Sequence, residues 1–368
     1  MAALAALGFE THTTRASESS SRIAFVEEGG SPIGELTPGS HKGRLVVDLA
    51  GITKGTRITP NDEFFIRTRY PDLFVAPDHW EIEIGGAVER TGRLSLDELV
   101  GDVSPMGVQL LECSGNSKFR KFGLLSAAEW SGIPMMHVMD LCRSRFGVRP
   151  EATRLVVEGV DEHSDFATKR VQGASWIFGL SELEAAGAYL ATEMNGRPLP
   201  RDHGAPVRLI MPNWYGCSNI KWVRALRFVD EDAPSTAQMR EFASRTHQQG
   251  VPELAREFRP ATMDFSAIVT RVTRTHRGED LVYRLSGITW GGTTRVDELR
   301  IRFEDGGDSQ RIDRFDHDQP SGFSFWEHEW RPGRPGRYAI GLSVGDPAVP
   351  TIRLDAGRYV RQVDIDEI

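Results

Sequence analysis

The C-terminal third of the chain is a succession of short segments in which apolar and polar residues alternate. A period of two places one face of a strand in a core and the other in water. Turn residues separate the segments, including Asp305-Gly306-Gly307 and Pro332-Gly333. Regularly spaced short strands of this kind predict a β-sandwich from about Ala261 onward. The alternating segments are residues 267–269, 281–283, 299–303, 323–326 and 338–340.

The preceding part of the chain mixes helix and strand signals. Ser95-Leu96-Asp97-Glu98 has the spacing of a capping box, which predicts a short helix. A second helix is predicted to begin at Pro134, because proline is favoured in a first helical turn. Asn195-Gly196 predicts a tight turn after a strand. The predicted strands are residues 81–84, 155–161 and 189–194.

A chain of 368 residues can bury two full-sized cores. We therefore expect an α+β protein with a mixed α/β domain at residues 44–250 and an all-β domain at residues 260–368. Residues 1–43 are expected to form a flexible leader, because residues 10–43 are rich in Ser, Thr, Gly and Glu. The apolar start, residues 1–9, lacks a basic region. It fits either the rear of a truncated export signal, which implies a periplasmic protein, or a cytoplasmic tail.

Charge and composition exclude several classes of function. The net charge is −8 and the basic residues are dispersed, so nucleic acid is not an expected partner. No apolar stretch is long enough for a transmembrane helix. The three cysteines form neither a CxxC pair nor a zinc spacing. No dinucleotide or P-loop fingerprint supports NAD or ATP, and no G-x-S-x-G elbow supports a serine hydrolase.

Cys113 is the first candidate for chemistry. It follows an apolar run and precedes a turn of small residues, Ser114-Gly115-Asn116-Ser117. A thiolate in this position can face a cleft while backbone N–H groups of the turn point toward an anion. Taken alone, a single cysteine is more often a small core residue. Other segments of the sequence must decide between the two interpretations.

Three ordered strings of residues resemble the molybdenum domain of the sulfite oxidase family. The first is Glu112-Cys113-Ser114-Gly115-Asn116 with Glu129-Trp130-Ser131-Gly132. The second runs from Glu193 to Arg208, and the third is Asn213-Trp214-Tyr215-Gly216 with Asn219-Ile220-Lys221-Trp222. Their order and spacing fit the family across residues 61–230. The C-terminal part resembles the immunoglobulin-like dimerisation domain of the same family, most clearly at residues 287–292.

The resemblance implies a molybdenum-molybdopterin cofactor without a nucleotide, with Cys113 as the one protein ligand to the metal. Thiolate is a soft ligand that suits a metal already held by sulfur. Arg67 falls on the position of a substrate-binding arginine, and a guanidinium fork suits a tetrahedral oxyanion such as sulfite. The catalytic residues implied are thus Cys113 and Arg67. The cofactor-binding residues implied are Phe65, Arg69, Cys113, Asp161, His203, Arg208, Asn219 and Lys221.

Two positions depart from the family pattern. Arg69 stands where animal sulfite oxidases carry a histidine that contacts the pterin. Phe242 aligns with the active-site tyrosine of the family, so a hydroxyl near the substrate would be missing. Another oxidisable or reducible small molecule therefore remains open as the substrate.

The expected activity is oxidation of sulfite or a related small sulfur oxyanion by oxygen-atom transfer. No C-x-x-C-H haem motif is present, so the electrons are expected to leave to an external acceptor such as a c-type cytochrome. The resemblance also implies a homodimer. One alternative is a molybdenum-dependent reductase of a small oxo substrate such as a sulfoxide. The other is a metal-free binding protein that keeps the fold.

Overall fold

The computed structural model describes residues 19–26, 28–30, 32–35, 43–68, 78–160, 163–164, 170–171, 174–277, 280–303, 308–316 and 322–368. The strands before residue 250 are β1 Ser19–Ile23, β2 Phe25–Val26, β3 Gly43–Leu45, β4 Ile66–Thr68, β5 Glu81–Gly86, β6 Gly92–Ser95, β7 Ser104–Glu112, β8 Leu125–Pro134, β9 Arg154–Gly159, β10 His163–Ser164, β11 Arg170–Val171, β12 Ser175–Gly179, β13 Tyr189–Met194, β14 Arg197–Pro198, β15 Arg208–Ile210 and β16 Val223–Val229.

The later strands are β17 Ser266–Arg277, β18 Asp280–Trp290, β19 Leu299–Arg302, β20 Gln310–Arg311, β21 Arg314–Phe315, β22 Ser324–Trp330, β23 Gly336–Val344 and β24 Arg361–Ile365. The α-helices are α1 Leu96–Leu99, α2 Met135–Phe146, α3 Leu180–Ala186, α4 Ala237–Phe242 and α5 Ile352–Asp355. Short 3₁₀ helices are Leu49–Gly51, Val100–Asp102, Lys118–Arg120, Arg201–His203, Gly216–Ser218, Ala243–Arg245 and Ala255–Glu257.

Two five-stranded sheets form the mixed domain. One has the order β12-β9-β16-β5-β6, in which only the β16–β5 pair is parallel among the described pairs. The other has the order β14-β13-β8-β7, with β15 paired to β13. Helix α2 packs its buried residues, including Met139 and Cys142, into the apolar core of this domain. It ends at Phe146 and is capped by Gly147, whose φ of +67° is a conformation that glycine adopts easily.

The local predictions for this domain are confirmed. Ser95 caps α1, since its hydroxyl accepts from the backbone N–H of Asp97. Pro134 is the N-terminal cap of α2. Asn195 and Gly196, with φ of +54° and +68°, turn the chain between β13 and β14. The apolar run at residues 155–161 forms strand β9, Arg154–Gly159, in which buried and half-buried residues alternate.

The predicted β-sandwich is also confirmed. Its two five-stranded sheets have the orders β1-β17-β18-β22-β21 and β2-β24-β23-β19-β20. Residues of both sheets share one apolar core, among them Ile288, Trp326, Ile301 and Val363. The same core continues into the mixed domain through residues of β7 and β8 such as Leu111. The sandwich and the loop that follows β7 are therefore in direct contact.

The prediction of a flexible leader is wrong for part of its length. Residues 19–23 pair with β17, and residues 25–26 pair with β24, so each sandwich sheet gains one strand from the N-terminal region. The hydrogen bonds of an edge strand are made by the backbone and need no marked side-chain pattern. Phe25 adds a stacking contact, because the guanidinium of Arg361 lies 3.5 Å from its ring centre.

Candidate active site

A cavity of about 530 Å³ lies where β4, the loop after β7, the segment after β14 and the C-terminal segment meet. Seven cationic side chains line it, whereas Glu241 is the one carboxylate among its described lining residues. Such an excess of positive charge favours a ligand that carries several negative charges. The lining residues are Arg44, Phe64, Phe65, Arg67, Thr68, Leu111, Cys113, Gly115, Ser117, Arg120, Leu124, Ala174, His203, Arg208, Gly216, Cys217, Asn219, Ile220, Lys221, Gln238, Glu241, Phe242, Arg245 and Arg358.

Cys113 is held at the cavity wall by a tightly bonded turn. Its N–H donates to the Leu124 carbonyl at 3.0 Å, and its own carbonyl accepts from the Asn116 N–H at 2.8 Å. The Asn116 side chain closes the turn, since its amide donates to Phe122 O and accepts from Leu124 N–H. Cys113 is half-buried and not in a disulfide. The thiol is therefore free to bind a group in the cavity.

Arg44 and Arg67 form a pair of guanidinium groups on one side of the cavity. They lie directly opposite each other in the β3–β4 ladder. Burial and then the charge of Arg67 lower the pKa of Arg44 from its ordinary value. Arg44 Nε is buried and has no hydrogen-bond partner in the described part of the chain. Neighbouring like charges are unfavourable until an anion lies between them.

The segment after β14 brings further polar groups to the cavity. Burial, followed by the charges of Lys221 and Arg208, lowers the pKa of His203 to about 3. The neutral ring donates from Nε2 to Asn61 O at 3.0 Å, which leaves Nδ1 as an acceptor. Lys221 Nζ donates to Asp202 O at 2.6 Å. Gly204, at φ +111°, lets the chain approach closely, because a Cβ there would lie about 3 Å from Lys221 and Arg208.

Arg208 is a buried cation whose partners are backbone carbonyls. Its terminal nitrogens donate to His203 O at 2.9 Å and Asn219 O at 3.2 Å, and its Nε has no hydrogen-bond partner in the described structure. Burial lowers its pKa to about 10. A buried cation with a spare donor and no carboxylate partner is expected where an anion binds.

The side chain of Asn219, a predicted cofactor-binding residue, makes its hydrogen bonds to the backbone of neighbouring loops. It lines the cavity, but its amide donates to Trp214 O and Tyr215 O and accepts from the Met211 N–H. These backbone contacts occupy the amide group. Asn219 thus braces the loop that carries Lys221.

The structure brings most of the predicted residues together. Phe65, Arg67, Cys113, His203, Arg208, Asn219 and Lys221 all line the one cavity. Arg69 and Asp161 lie outside the described residues. Phe242, which the sequence analysis aligned with the active-site tyrosine of the family, also lines the cavity, and the Arg245 guanidinium lies 5.4 Å from its ring centre.

Several lining residues were missed by the sequence analysis. They are Arg44, Arg120, Cys217, Gln238, Glu241, Arg245 and Arg358. Arg358 belongs to the C-terminal segment, 245 positions after Cys113 along the chain. No local pattern distinguishes these arginines from solvated surface residues, so only the folded structure identifies them.

Glu112, directly before Cys113, is a fully buried carboxylate. It accepts from Tyr359 Oη at 2.8 Å, Trp290 Nε1 at 3.0 Å and Asn116 Nδ2 at 3.3 Å, and its Oε1 lies 3.6 Å from Arg353 Nη1. Burial disfavours the charge of Arg353, but the Glu112 carboxylate more than offsets this and raises its pKa. Burial and the same carboxylate raise the pKa of Tyr359, which keeps its hydroxyl a donor.

The donor set fits a molybdopterin group. A soft thiolate is available for a metal at Cys113. Arg208 supplies a buried, unused donor and Lys221 an ammonium, both of which suit a phosphate. Phe64 and Phe65 offer apolar walls for a ring system.

Residues 68–237 match the family described as the oxidoreductase molybdopterin binding domain. The mitochondrial sulfite oxidase of Macaca fascicularis is 27% identical over 291 residues, which cover 74% of this chain and 52% of that protein. The sulfite oxidase of Gallus gallus is 33% identical over 199 residues, 50% of this chain and 42% of that protein. The catalytic subunit MsrP of the protein-methionine-sulfoxide reductase of Xanthomonas axonopodis is 32% identical over 163 residues, 43% of this chain and 47% of that protein.

This chain thus spans about half the length, or less, of these curated relatives. Among solved structures, the sulfane dehydrogenase SoxCD of Paracoccus pantotrophus superimposes with a TM-score of 0.65 at 18% identity, covering 94% of this chain and 91% of that chain. The likeness to SoxCD supports the two-part fold. Within the described residues, no helix combines the length and apolarity needed to cross a bilayer.

Proposed function

We propose that this chain, which belongs to the sulfite oxidase family of molybdopterin-dependent oxidoreductases, oxidises sulfite or a related small sulfur oxyanion. Overall, the substrate gains one oxygen atom from water and releases two protons and two electrons. The electrons pass to an external acceptor, for which a c-type cytochrome is our first candidate. The observation that carries the proposal is a thiol, Cys113, in a cavity lined by seven cationic side chains.

The cofactor of this domain is molybdopterin carrying molybdenum. When bound, it supplies transfer of an oxygen atom together with storage of two electrons. The residues of the chain bind the cofactor and orient it. Cys113 would hold the metal through its thiolate, and Arg208 and Lys221 would bind the phosphate of the pterin.

Arg67 and Arg44 would bind the substrate. Their guanidinium groups are adjacent in the β3–β4 ladder and can form charge-assisted hydrogen bonds to an oxyanion. Phe242 offers an aromatic face without a hydroxyl, so the polar contacts to the substrate come chiefly from cations. This arrangement favours a small anion over a neutral molecule.

A sulfoxide reductase is the second candidate, supported by the similarity to the MsrP subunit. A neutral sulfoxide would use little of the charge at Arg44 and Arg67. The two functions can be separated by assaying both directions. Oxidation is followed by sulfite-dependent reduction of ferricyanide or cytochrome c, and reduction by loss of methionine sulfoxide with a reduced dye.

The first experiment is expression in a host that makes molybdopterin, followed by metal analysis and fluorescence of the oxidised pterin. We expect about one molybdenum per chain. Cys113→Ser should lose the metal and the activity. Cys142→Ala is the matched control, because Cys142 is fully buried in α2 away from the cavity and should leave the molybdenum content unchanged.

The proposal predicts activity toward sulfite in the loaded protein. Full activity in Cys113→Ser, or a loaded wild-type protein that reduces methionine sulfoxide but leaves sulfite unchanged, would contradict it. A homodimer formed through the sandwich is a further proposal, which light scattering after gel filtration tests.

A further inference from the structure

We infer that the C-terminal sandwich positions the thiolate of Cys113, with Trp290, Arg353 and Tyr359 as positioning residues that act through the buried Glu112 and the loop carbonyls. The inference rests on the proposed function only in taking Cys113 as the metal ligand. It gives the sandwich a role inside the site, in addition to any part in dimerisation.

The first contact is with the carboxylate next to Cys113. Glu112 is fully buried, and two of its hydrogen-bond donors, Trp290 Nε1 at 3.0 Å and Tyr359 Oη at 2.8 Å, come from the C-terminal part of the chain. The rings of Trp290 and Tyr359 also meet edge to face, with centres 5.1 Å apart. Each donor therefore has little freedom to follow Glu112 if the loop moves.

The second contact is with the backbone carbonyls that follow Cys113. Arg353 Nη2 donates to Ser114 O at 2.9 Å, and Arg358 Nη2 donates to Asn116 O at 2.9 Å. Both arginines are C-terminal to residue 350, and Arg353 is itself held by a hydrogen bond from its backbone N–H to Asp264 at 2.8 Å. Two peptide groups that follow Cys113 are thus held by side chains from beyond the mixed domain.

Joining two domains does not by itself need this network. The surrounding interface is apolar and continuous with the core of the sandwich. Burial of a carboxylate and a guanidinium is costly unless each is well paired, so such groups contribute geometry more than stability. Trp290, Tyr359, Arg353 and Arg358 each contact Glu112 or the three residues after Cys113, and Arg353 also donates to Arg245 O at 2.7 Å. These hydrogen bonds therefore lie at the residues that set the orientation of the Cys113 thiol.

The test uses two variants that each remove one hydrogen bond: Tyr359→Phe keeps the ring, and Trp290→Phe replaces the indole with the smaller phenyl ring. Tyr359→Phe and Trp290→Phe each leave Glu112 with one donor fewer. Tyr283→Phe is the matched control, because Tyr283 is a fully buried tyrosine of the sandwich whose hydroxyl donates to Glu367 O at 2.7 Å. Glu112→Gln keeps the size of the side chain and serves as a third variant.

The readout is the alkylation rate of Cys113 in protein prepared without cofactor, located by mass spectrometry. Cys142 is the internal reference, because it lies in the separate core around α2. We expect Tyr359→Phe and Trp290→Phe to raise the rate at Cys113 about tenfold, since a lost hydrogen bond to a charged group frees the loop to open. Tyr283→Phe should leave the rate unchanged even if it lowers the thermal stability equally.

In loaded protein, the same two variants should shift the electron paramagnetic resonance signal of the half-reduced molybdenum, and Tyr283→Phe should not. Unchanged alkylation in Tyr359→Phe and Trp290→Phe would overturn the inference, and so would an equal rise in Tyr283→Phe. The alkylation assay needs no metal, so it remains decisive if the proposed function fails. Lack of molybdenum in the wild type would refute the function alone.

Discussion

Replacing Arg208 with methionine separates the stability of the empty site from its affinity for the cofactor. The pKa of Arg208 falls from 12.5 to about 10 because the side chain is buried. This difference corresponds to about 3 kcal/mol of unfavourable burial of the charge. Arg208→Met removes that cost. It also leaves the carbonyls of His203 and Asn219 without their hydrogen-bond donor, which costs about 1–3 kcal/mol each. The two effects oppose each other in protein without cofactor.

The cofactor changes this balance. An anion next to Arg208 would pair its spare Nε, so the loaded wild-type protein no longer carries the burial cost. We therefore expect Arg208→Met to alter the unfolding free energy of cofactor-free protein by less than about 3 kcal/mol. The same substitution should shrink the stabilisation that loading provides by about 3 kcal/mol. Protein from hosts with and without molybdopterin synthesis, unfolded in denaturant, gives both quantities.

Arg361→Met is the control. Arg361 is also buried, but Glu28 pairs with its Nε and Nη2 at 2.5 and 2.6 Å. Its loss would leave the largely buried Glu28 carboxylate unpaired and cost about 3–5 kcal/mol in both forms of the protein. If Arg208→Met instead destabilised the two forms equally, as Arg361→Met should, the assignment of Arg208 to an anion site would be refuted.

Three other substitutions give distinct outcomes. Arg67→Met should raise the KM for sulfite at least about tenfold without loss of molybdenum, because one charge-assisted hydrogen bond is lost; a change in kcat alone would argue for another role. The folded-state pKa of His203 is about 3 against 6.5 for a free histidine, so unfolded chains bind more protons below pH 6.5. The cofactor-free protein should therefore lose up to about 1.4 kcal/mol per pH unit from this residue as the pH falls from 6.5, and His203→Gln should remove that slope in denaturant titrations. Gly287→Ala should destabilise the sandwich by about 1–3 kcal/mol or more, since its Cβ would lie 2.2 Å from both Ile268 O and the Trp326 ring. Gly333→Ala should not destabilise the sandwich, because a Cβ at this position would have no neighbour within 4 Å.

Features with a local cause could be predicted from the sequence. The sandwich followed from alternation along single strands, and the turn at Asn195-Gly196 from residues that tolerate positive φ. Cys113 and His203 were found because they belong to long ordered strings. Each of these signals lies within a few positions of the residue that it concerns.

Features that depend on distant contacts could not be predicted. Arg44 resembles any arginine of a short strand until β3 is placed beside Arg67. Arg358 reaches the cavity only through the packing of the sandwich against the loop of Cys113. Residues 19–26 complete both sandwich sheets through backbone pairing, which leaves little trace in composition.

The charged groups around Cys113 fall into two sets with opposite requirements. Arg353 and Arg358 have partners inside the protein, namely Glu112 and the loop carbonyls, and the Arg353 Nη1 atom that makes no hydrogen bond in the described structure lies 3.6 Å from the Glu112 carboxylate. Arg44 and Arg208 keep a buried Nε for which the described structure offers no acceptor. The first set fixes the loop in advance, and in the second set the Nε atom gains an acceptor only on binding. Because the loop is rigid, Arg44 and Arg208 cannot move toward other acceptors in the protein. Their unpaired Nε groups therefore stay in place to bind an anion.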